Sequence, residues 1–289
     1  ESLRHTFHVA HTAEPRRELH IIAVGVSRHH DPSLNLSFAA KDAQDLVSAL
    51  QRLQRSFARV HVHTLVDAAA TRANILALAA PLRRCAVDDQ LVVLFAGHGA
   101  LVDGDYTFLP ADHDLTHPRA TAVTWAEIEA LFAGVAARRR LLLLDTCHAG
   151  APGDTVDDEP ATLPETVRRV RARDFLVDAA DPPRITRAQE MARLSDLFAD
   201  LRDEIGAHVI AAAGASEYAR EGQDGRENGV FTSCILEALQ GDVADRDRDG
   251  RITVSELRSF VAARVSALTQ GDQRPVSRRE NLVDDFAVL

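Results

Sequence analysis

The sequence contains few cysteines and no long apolar run. Three cysteines in 289 residues, Cys85, Cys147 and Cys234, do not make a disulfide framework, which favours a reducing compartment such as the cytoplasm. Nowhere do 18 or more apolar residues follow one another, so the sequence predicts no membrane span. The formal net charge of −10 provides no excess of positive charge, and we expect neither nucleic acid nor a membrane as the main partner.

Lysine and methionine each occur only once, as Lys41 and Met191, and the chain starts at Glu1. Of the 33 basic residues, 32 are therefore arginines. The start at Glu1 suggests a piece of a longer protein, so we expect further domains outside this sequence.

Apolar residues make up 46% of the chain, enough for the core of one large α/β domain. Apolar segments of strand length alternate with segments of helical pattern, which predicts a mostly parallel sheet of about six strands with helices on both faces. Predicted strands include residues 19–27, 59–66, 208–214 and an edge strand within 282–289, and predicted helices cover 38–57, 71–84, 124–131, 188–203, 229–239 and 255–268. Thr71 and Thr124 are predicted to cap their helices, with Glu127 at the capping-box position after Thr124.

Two regions do not follow this pattern. Residues 1–18 are polar and lack periodicity, so we predict a tail or linker there. Residues 151–187 hold five of the eleven prolines together with acids and an arginine cluster, which predicts a flexible insert. The chain from residue 19 to residue 289 is otherwise predicted to be one domain.

Two predicted strands end in polar turns that carry reactive side chains. Four leucines at 141–144 precede D-T-C-H-A-G at 145–150, and an apolar run at 91–95 precedes G-H-G at 97–99. Open α/β sheets place their chemistry at the carboxyl ends of strands. His98 precedes Cys147 by 49 residues, and a single cysteine with a histidine about 50 residues upstream is the arrangement found in caspases.

In this order and at this spacing, the two motifs resemble a caspase-like (clan CD, family C14) cysteine peptidase, in particular the prokaryotic metacaspase-like, or orthocaspase-type, branch. In that branch the histidine lies in G-H-G and the cysteine in D-x-C-H-x-G, as here, whereas the Q-A-C-x-G of animal caspases is absent. The resemblance covers about residues 19–289 apart from the insert. It implies a three-layer caspase-like fold and cysteine endopeptidase activity.

Cys147 and His98 are the candidate catalytic pair. A thiolate attacks a carbonyl carbon well, and an imidazole can accept the thiol proton and later protonate the leaving amine. The resemblance implies that the backbone N–H groups of Gly99 and Cys147 form the oxyanion hole. Cys85 and Cys234 are interpreted as inert core cysteines.

Asp145 is a candidate for substrate binding, because a carboxylate so close to a nucleophilic thiol opposes thiolate formation unless it receives a cation. The resemblance implies that Asp145, together with Asp42 in the helix after the first strand, lines a pocket for the residue before the cleaved bond. Two carboxylates can bind a guanidinium group bidentately, so the hypothesis is cleavage after Arg, with Lys weaker. Glu217 is a further candidate contact with the substrate.

Cleavage after arginine would make the chain a substrate of its own activity, because the insert at 151–187 offers a cluster of arginines. We therefore expect self-cleavage between residues 167 and 187. In caspases, cutting in this region accompanies activation.

Residues 245–256 match the EF-hand template for Ca²⁺, with a predicted helix on each side. Acidic residues occupy positions 1, 3, 5 and 12, and a glycine occupies position 6. A solvated acidic turn is the alternative interpretation. The predicted metal ligands are Asp245, Asp247, Asp249, Glu256 and the main-chain carbonyl group of Arg251.

Two alternatives to a peptidase remain. The first is a non-catalytic caspase-fold module that binds calcium or a partner. The second is another α/β enzyme, such as a thiol esterase or a flavodoxin-like nucleotide binder, but the sequence has no G-x-S-x-G turn and no phosphate-cradling glycine loop. The family resemblance further implies protein substrates, fusion to or regulation by a sensor domain or upstream activator, and a role in stress or defence signalling.

Overall fold

The computed structural model describes residues 17–102, 105–149, 206–212, 227–278 and 285–288. Within these residues, eight strands form one sheet with helices on both faces. The strands are β1 (Glu18–Gly25), β2 (Arg59–Val66), β3 (Gln90–Val102), β4 (Asp105–Phe108), β5 (Val123–Thr124), β6 (Arg139–Ala149), β7 (His208–Ala211) and β8 (Val276–Arg278). The α-helices are α1 (Ala39–Gln51), α2 (Arg72–Ala77), α3 (Ala79–Leu82), α4 (Pro118–Thr121), α5 (Trp125–Phe132), α6 (Val230–Gln240) and α7 (Val254–Leu268).

Six of the strands lie side by side in the order β2-β1-β3-β6-β7-β8. The first five are parallel to one another, and β8 is antiparallel to β7. The predicted architecture, a mostly parallel sheet of about six strands between two helical layers, is confirmed. The structure adds β4, which pairs antiparallel with the outer end of β3 and with β5.

The strands β1, β3 and β6 lie at the centre of the sheet because they carry apolar side chains on both faces. Residues 21–24, 91–95 and 141–144 are at most 1% exposed. One face packs against α1, α6 and α7, and the other packs against α2, α3 and α5. Strands covered on both sides need no polar alternation, which explains the continuous apolar runs in the sequence.

Helix starts follow the capping signals in the sequence. Thr124 begins α5 with the predicted capping box, in which its hydroxyl group accepts from the N–H of Glu127 and the Glu127 carboxylate accepts in return. Thr71 caps α2 as predicted, but the single helix predicted to residue 84 is divided at Leu78 into α2 and α3. Pro81 has no N–H for an intrahelical bond to the preceding turn, which accounts for the division.

Gly25, at the carboxyl end of β1, allows α1 to approach the sheet closely. A Cβ atom at this position would lie 2.4 Å from the carbonyl oxygen of Ala39 and 2.8 Å from Cβ of Ala43, so a larger residue would push the helix away. The close contact holds the first turn of α1, which carries Asp42, against the end of β1.

The C-terminal part of the chain differs from the prediction. Residues 285–288 do not extend the sheet, whose edge strand on this side is β8. Instead Val254 N–H donates to Phe286 O at 3.0 Å and Val288 N–H donates to Ile252 O at 2.7 Å, so this segment pairs with the chain before α7. Its side chains Phe286 and Val288 are buried in the α1–α6–α7 layer, and that burial determines its position.

Residues 1–16 of the predicted tail, the insert at 151–187 and the helix predicted at 188–203 lie outside the described residues. Glu18, assigned to the tail from the sequence, is the first residue of β1. No helix in the described part of the chain is both long and apolar enough to cross a membrane.

Candidate active site

The carboxyl ends of β3 and β6 bring together the two predicted catalytic residues. The parallel register pairs His98 directly with Cys147 and Gly99 with His148. Neighbouring strands lie about 4.8 Å apart, so the two backbones are adjacent although 49 residues separate them in sequence. His98 and Cys147, each near the end of a predicted strand, are therefore neighbours in the backbone of one sheet.

The half-buried imidazole ring of His98 is oriented by the loop that follows β1. Its Nε2 lies 2.9 Å from the carbonyl oxygen of Leu34, at the end of a 3₁₀ turn that Asp31 caps. Because a carbonyl oxygen can only accept, Nε2 carries the proton, and Nδ1 is then the basic nitrogen of the neutral ring. A main-chain acceptor of this kind has no signature in the sequence, which is why sequence analysis did not find it.

Gly97 precedes His98 within β3 and packs closely against β4. Its φ angle is +150°, and a Cβ atom there would lie 3.2 Å from the ring of Phe108. The Leu109 N–H donates to the His98 carbonyl oxygen at 3.0 Å, so β4 and the residue after it fix the backbone on the other side. Gly99 pairs with Phe108 in the same ladder.

Two further histidines surround His98, and sequence analysis did not identify either. The ring of His29 lies 5.5 Å from that of His98, centroid to centroid, and His29 is 7% exposed. Burial and, next, the neighbouring His98 lower the pKa of His29 to about 4. Burial also lowers the pKa of His113. Both rings are therefore neutral at pH 7, so they add no positive charge near His98.

The two predicted pocket acids, Asp42 and Asp145, converge at the amino terminus of α6. A Cβ atom on Gly229, the residue before α6, would lie 3.1 Å from Oδ2 of Asp42 and 2.9 Å from Oδ2 of Asp145, so these two oxygens lie within about 6 Å of each other. Both acids are buried, at 2% and 8% exposed. The glycine is needed here because a side chain would collide with both carboxylates.

Each carboxylate accepts hydrogen bonds from the start of α6. Asp42 accepts from the Gly229 N–H at 3.1 Å and from Nδ2 of Asn228 at 2.9 Å. Asp145 accepts from the Thr232 hydroxyl group at 2.6 Å and from its N–H at 3.3 Å. The amino terminus of a helix carries about half a positive charge, which offsets part of the negative charge of the two buried acids.

A comparison with family models now identifies the fold. The model of the caspase domain of C14 peptidases matches residues 21–287, nearly the whole chain. The chain belongs to the caspase-domain family. Membership supports a peptidase-type function and protein substrates in general terms, and the predicted caspase-like fold is confirmed.

Among solved structures, the caspase domain is similar to protein GSU0716 from Geobacter sulfurreducens, a structural genomics target. The two share 19% sequence identity with a TM-score of 0.56, and the match covers 93% of this chain and 95% of the other. At this identity the likeness supports the fold alone. A search of curated proteins found no match.

Hydrogen bonds to its first acid hold the loop that the sequence predicts to bind calcium. Asp245 accepts from the N–H groups of Arg248 at 2.7 Å and Gly250 at 2.9 Å, and both donors have positive φ angles, 62° and 80°. Ligand oxygens of Asp245, Asp247 and Glu256 lie within 4.8 Å of one another. These three predicted ligands are therefore brought together.

Asp249 and Arg251 are not part of that group of three. Oδ1 of Asp249 instead accepts from the Arg251 N–H at 2.8 Å. A hydrogen bond from the Asp249 N–H lowers the pKa of Asp247, but desolvation and the charges of the neighbouring acids, Asp249, Glu256 and Asp245, outweigh it and raise that pKa overall. A bound cation would relieve this repulsion, and the all-oxygen donor set suits Ca²⁺. Glu217, the other predicted contact, lies outside the described residues.

The lowered pKa of His29 predicts that the folded domain loses stability in acid. An unfolded histidine titrates near 6.5, so between about pH 6.5 and pH 4 the unfolded state binds the extra proton and the free energy of unfolding falls as the pH falls. We expect this one group to contribute a loss of about 3 kcal/mol by pH 4. His29→Gln should remove that contribution, as measured by urea unfolding at pH 7 and pH 4.5 in a Cys147→Ala background.

The exposed neighbour His30 provides the control. His30→Gln should keep the wild-type difference between the two pH values. If His29→Gln and His30→Gln showed the same difference, the assignment to His29 would be wrong.

Proposed function

We propose that the caspase domain is a cysteine endopeptidase that cleaves proteins after arginine, and less efficiently after lysine. Cys147 is the nucleophile and His98 the general base. The observation that carries the proposal is the parallel register pairing these two residues at the carboxyl end of the sheet. The hydrogen bond from His98 to the Leu34 carbonyl group supports it, because it fixes the tautomer that a base requires.

In the proposed reaction, Nδ1 of His98 accepts the thiol proton as the Cys147 sulfur attacks the carbonyl carbon of the substrate. The N–H groups of Gly99 and Cys147 stabilise the oxyanion that forms. The imidazolium then donates its proton to the leaving amine, which leaves a thioacyl enzyme. Water, deprotonated by His98, attacks the thioester, releases the carboxylic acid and restores the thiol group. The Leu34 carbonyl oxygen stabilises the imidazolium in both steps.

The electrostatics at the start of α6 favour a cationic side chain before the cleaved bond. Asp42 and Asp145 place two acids at one site, and the amino terminus of α6 contributes about half a positive charge there. An arginine side chain supplies a full charge and several N–H donors to replace or supplement the α6 amides. An aspartate in this position would add a third negative charge to a buried site, so substrates of the animal-caspase type should be rejected.

A competing interpretation is that the two acids only hold α6 in place. Their burial and their bonds to Gly229 and Thr232 favour it. The two interpretations differ in substrate preference, because a structural clamp has no reason to distinguish arginine from other residues.

Fluorogenic peptides with Arg, Lys or Asp before the scissile bond test the pocket. We expect cleavage after Arg, weaker cleavage after Lys and none after Asp, and no activity in Cys147→Ala. Asp42→Asn and Asp145→Asn should each lower kcat/KM for the Arg peptide by about 30- to 160-fold, the effect of losing a charge-assisted bond worth roughly 2–3 kcal/mol. The exposed Asp242, beyond the other end of α6, provides a control, since Asp242→Asn should have no effect.

Cleavage after Asp would contradict the pocket assignment. An unchanged preference for Arg over Lys in both pocket variants would also contradict it, since that result would favour the interpretation that the two acids only hold α6 in place.

We further propose activation by self-cleavage within the insert at 151–187, which lies outside the described residues. Its arginines are the observation that motivates the proposal. Intact mass spectrometry should find wild-type protein cut after an arginine between residues 167 and 187, while Cys147→Ala stays whole. Intact chains in both samples would exclude self-cleavage.

The loop at 245–256 is proposed to bind Ca²⁺ through Asp245, Asp247, Asp249, Glu256 and the carbonyl oxygen of Arg251. Added Ca²⁺ should raise the Tm, and Glu256→Gln should remove most of this rise. Glutamine can keep the capping box of α7 while losing the charge at position 12. Glu127→Gln, the matching change in the capping box of α5, should leave the Ca²⁺ effect intact. A Tm that does not respond to Ca²⁺ would favour a solvated acidic turn.

A further inference from the structure

A second cluster of titratable side chains lies at the opposite edge of the sheet, where β1 and β2 begin. His20 on β1 and His61 on β2 are direct partners in the parallel register. Their rings stack with centroids 4.5 Å apart and planes inclined by 10°. Glu18, two residues before His20, lies on the same face of β1. This group of Glu18, His20 and His61 is far from the catalytic edge in the sheet, and the peptidase mechanism does not use it.

The distances within the group suit metal coordination. Nε2 of His61 lies 2.6 Å from Oε2 of Glu18, and one possible ligand atom from each of the three residues lies within 4.8 Å of the other two. Ligand atoms around a tetrahedral Zn²⁺ ion with bonds of 2.0–2.1 Å are about 3.3 Å apart, so small side-chain rotations would suffice. The side chains of Glu18 and His61 are 36% and 31% exposed, which leaves an entry path for an ion and for a water ligand.

A buried carboxylate orients the inner histidine. Nε2 of His20 lies 3.3 Å from Oδ2 of Asp89, and Asp89 is held by the N–H groups of Glu18 at 2.9 Å and Ala86 at 2.7 Å. When Nε2–H donates to a carboxylate, Nδ1 carries the lone pair. Histidines that bind metals commonly donate their other N–H to a carboxylate in this way.

The stacking of His20 on His61 brings two imidazole groups to one place, and a divalent ion provides one centre that both rings can share. Cys85 lies near Asp89, but we do not expect it to bind a metal as a thiolate. Burial and, next, the charge of Asp89 raise the pKa of the Cys85 thiol to about 11.

We propose that Glu18, His20 and His61 bind a divalent transition-metal ion of the Zn²⁺ class, through one carboxylate and two imidazole groups, with water in the fourth position. Asp89 is the positioning residue for His20. Imidazole nitrogen selects Zn²⁺, Co²⁺ or Ni²⁺ over Ca²⁺ and Mg²⁺, which prefer oxygen. The bound ion ties the edge strand β2 to β1 and stabilises that side of the sheet.

Cobalt provides a spectroscopic probe of this site. The experiment uses the full chain with Cys147→Ala, which removes the candidate nucleophile and self-cleavage, and excess Ca²⁺ to occupy the acidic loop at 245–256. We expect one equivalent of Co²⁺ to produce the visible bands of a tetrahedral complex without a thiolate charge-transfer band, and Zn²⁺ to displace it. His61→Gln and Glu18→Gln should each weaken binding by at least about tenfold, the effect that the loss of an orienting partner alone can have.

His117 provides the matched control, since it forms a similar but exposed pair with Asp114 at 3.1 Å. His117→Gln should bind Co²⁺ as tightly as its Cys147→Ala parent. The absence of tetrahedral bands would overturn the proposal, and so would bands that persist unchanged in both His61→Gln and Glu18→Gln. Neither result bears on peptidase activity, because the site lies at the other edge of the sheet.

Discussion

The pairing of β3 with β6 is the constraint on which the rest of the structure depends. Each strand has an apolar run that is closed to solvent on both faces and has polar residues beyond both ends, so a slip of either strand would carry polar residues into the covered part of the sheet. That burial fixes the register, and the register makes His98 and Cys147 neighbours. The hydrophobic effect thus brings the two candidate catalytic residues together through two apolar segments that have no reactive side chains of their own.

The second organising feature is the balance of charge where α1, β6 and α6 meet. Two carboxylates, Asp42 and Asp145, are held out of water by a glycine, a threonine and an asparagine at the start of α6. Burying charge is costly, and the amino terminus of α6 contributes only about half a positive charge towards offsetting it. The two acids give the region its proposed preference for a guanidinium group.

Apolar runs, capping residues and motif spacing are local properties of a sequence, and the structural features that depend on them were predicted. Examples are the central strands, the capping box at Thr124 and the two strand ends that carry His98 and Cys147. Contacts made by the main chain, such as the Leu34 carbonyl group that orients His98, depend on how a loop returns to the sheet and leave no pattern in the sequence. The closeness of Gly229 to both acids likewise depends on tertiary packing. The helix is divided at Leu78 because of a single proline, which a pattern of apolar periodicity does not reveal.

A nucleophilic thiol and a pair of acids are proposed to act on one substrate. Covalent labelling with a peptidyl chloromethyl ketone that ends in arginine, followed by mass spectrometry to locate the adduct, tests both together. We expect one adduct, on Cys147, that forms faster than with the aspartyl reagent and more slowly in both His98→Gln and Asp145→Asn. Equal rates for the arginyl and aspartyl reagents, or a folded wild-type chain that takes up no label, would contradict it.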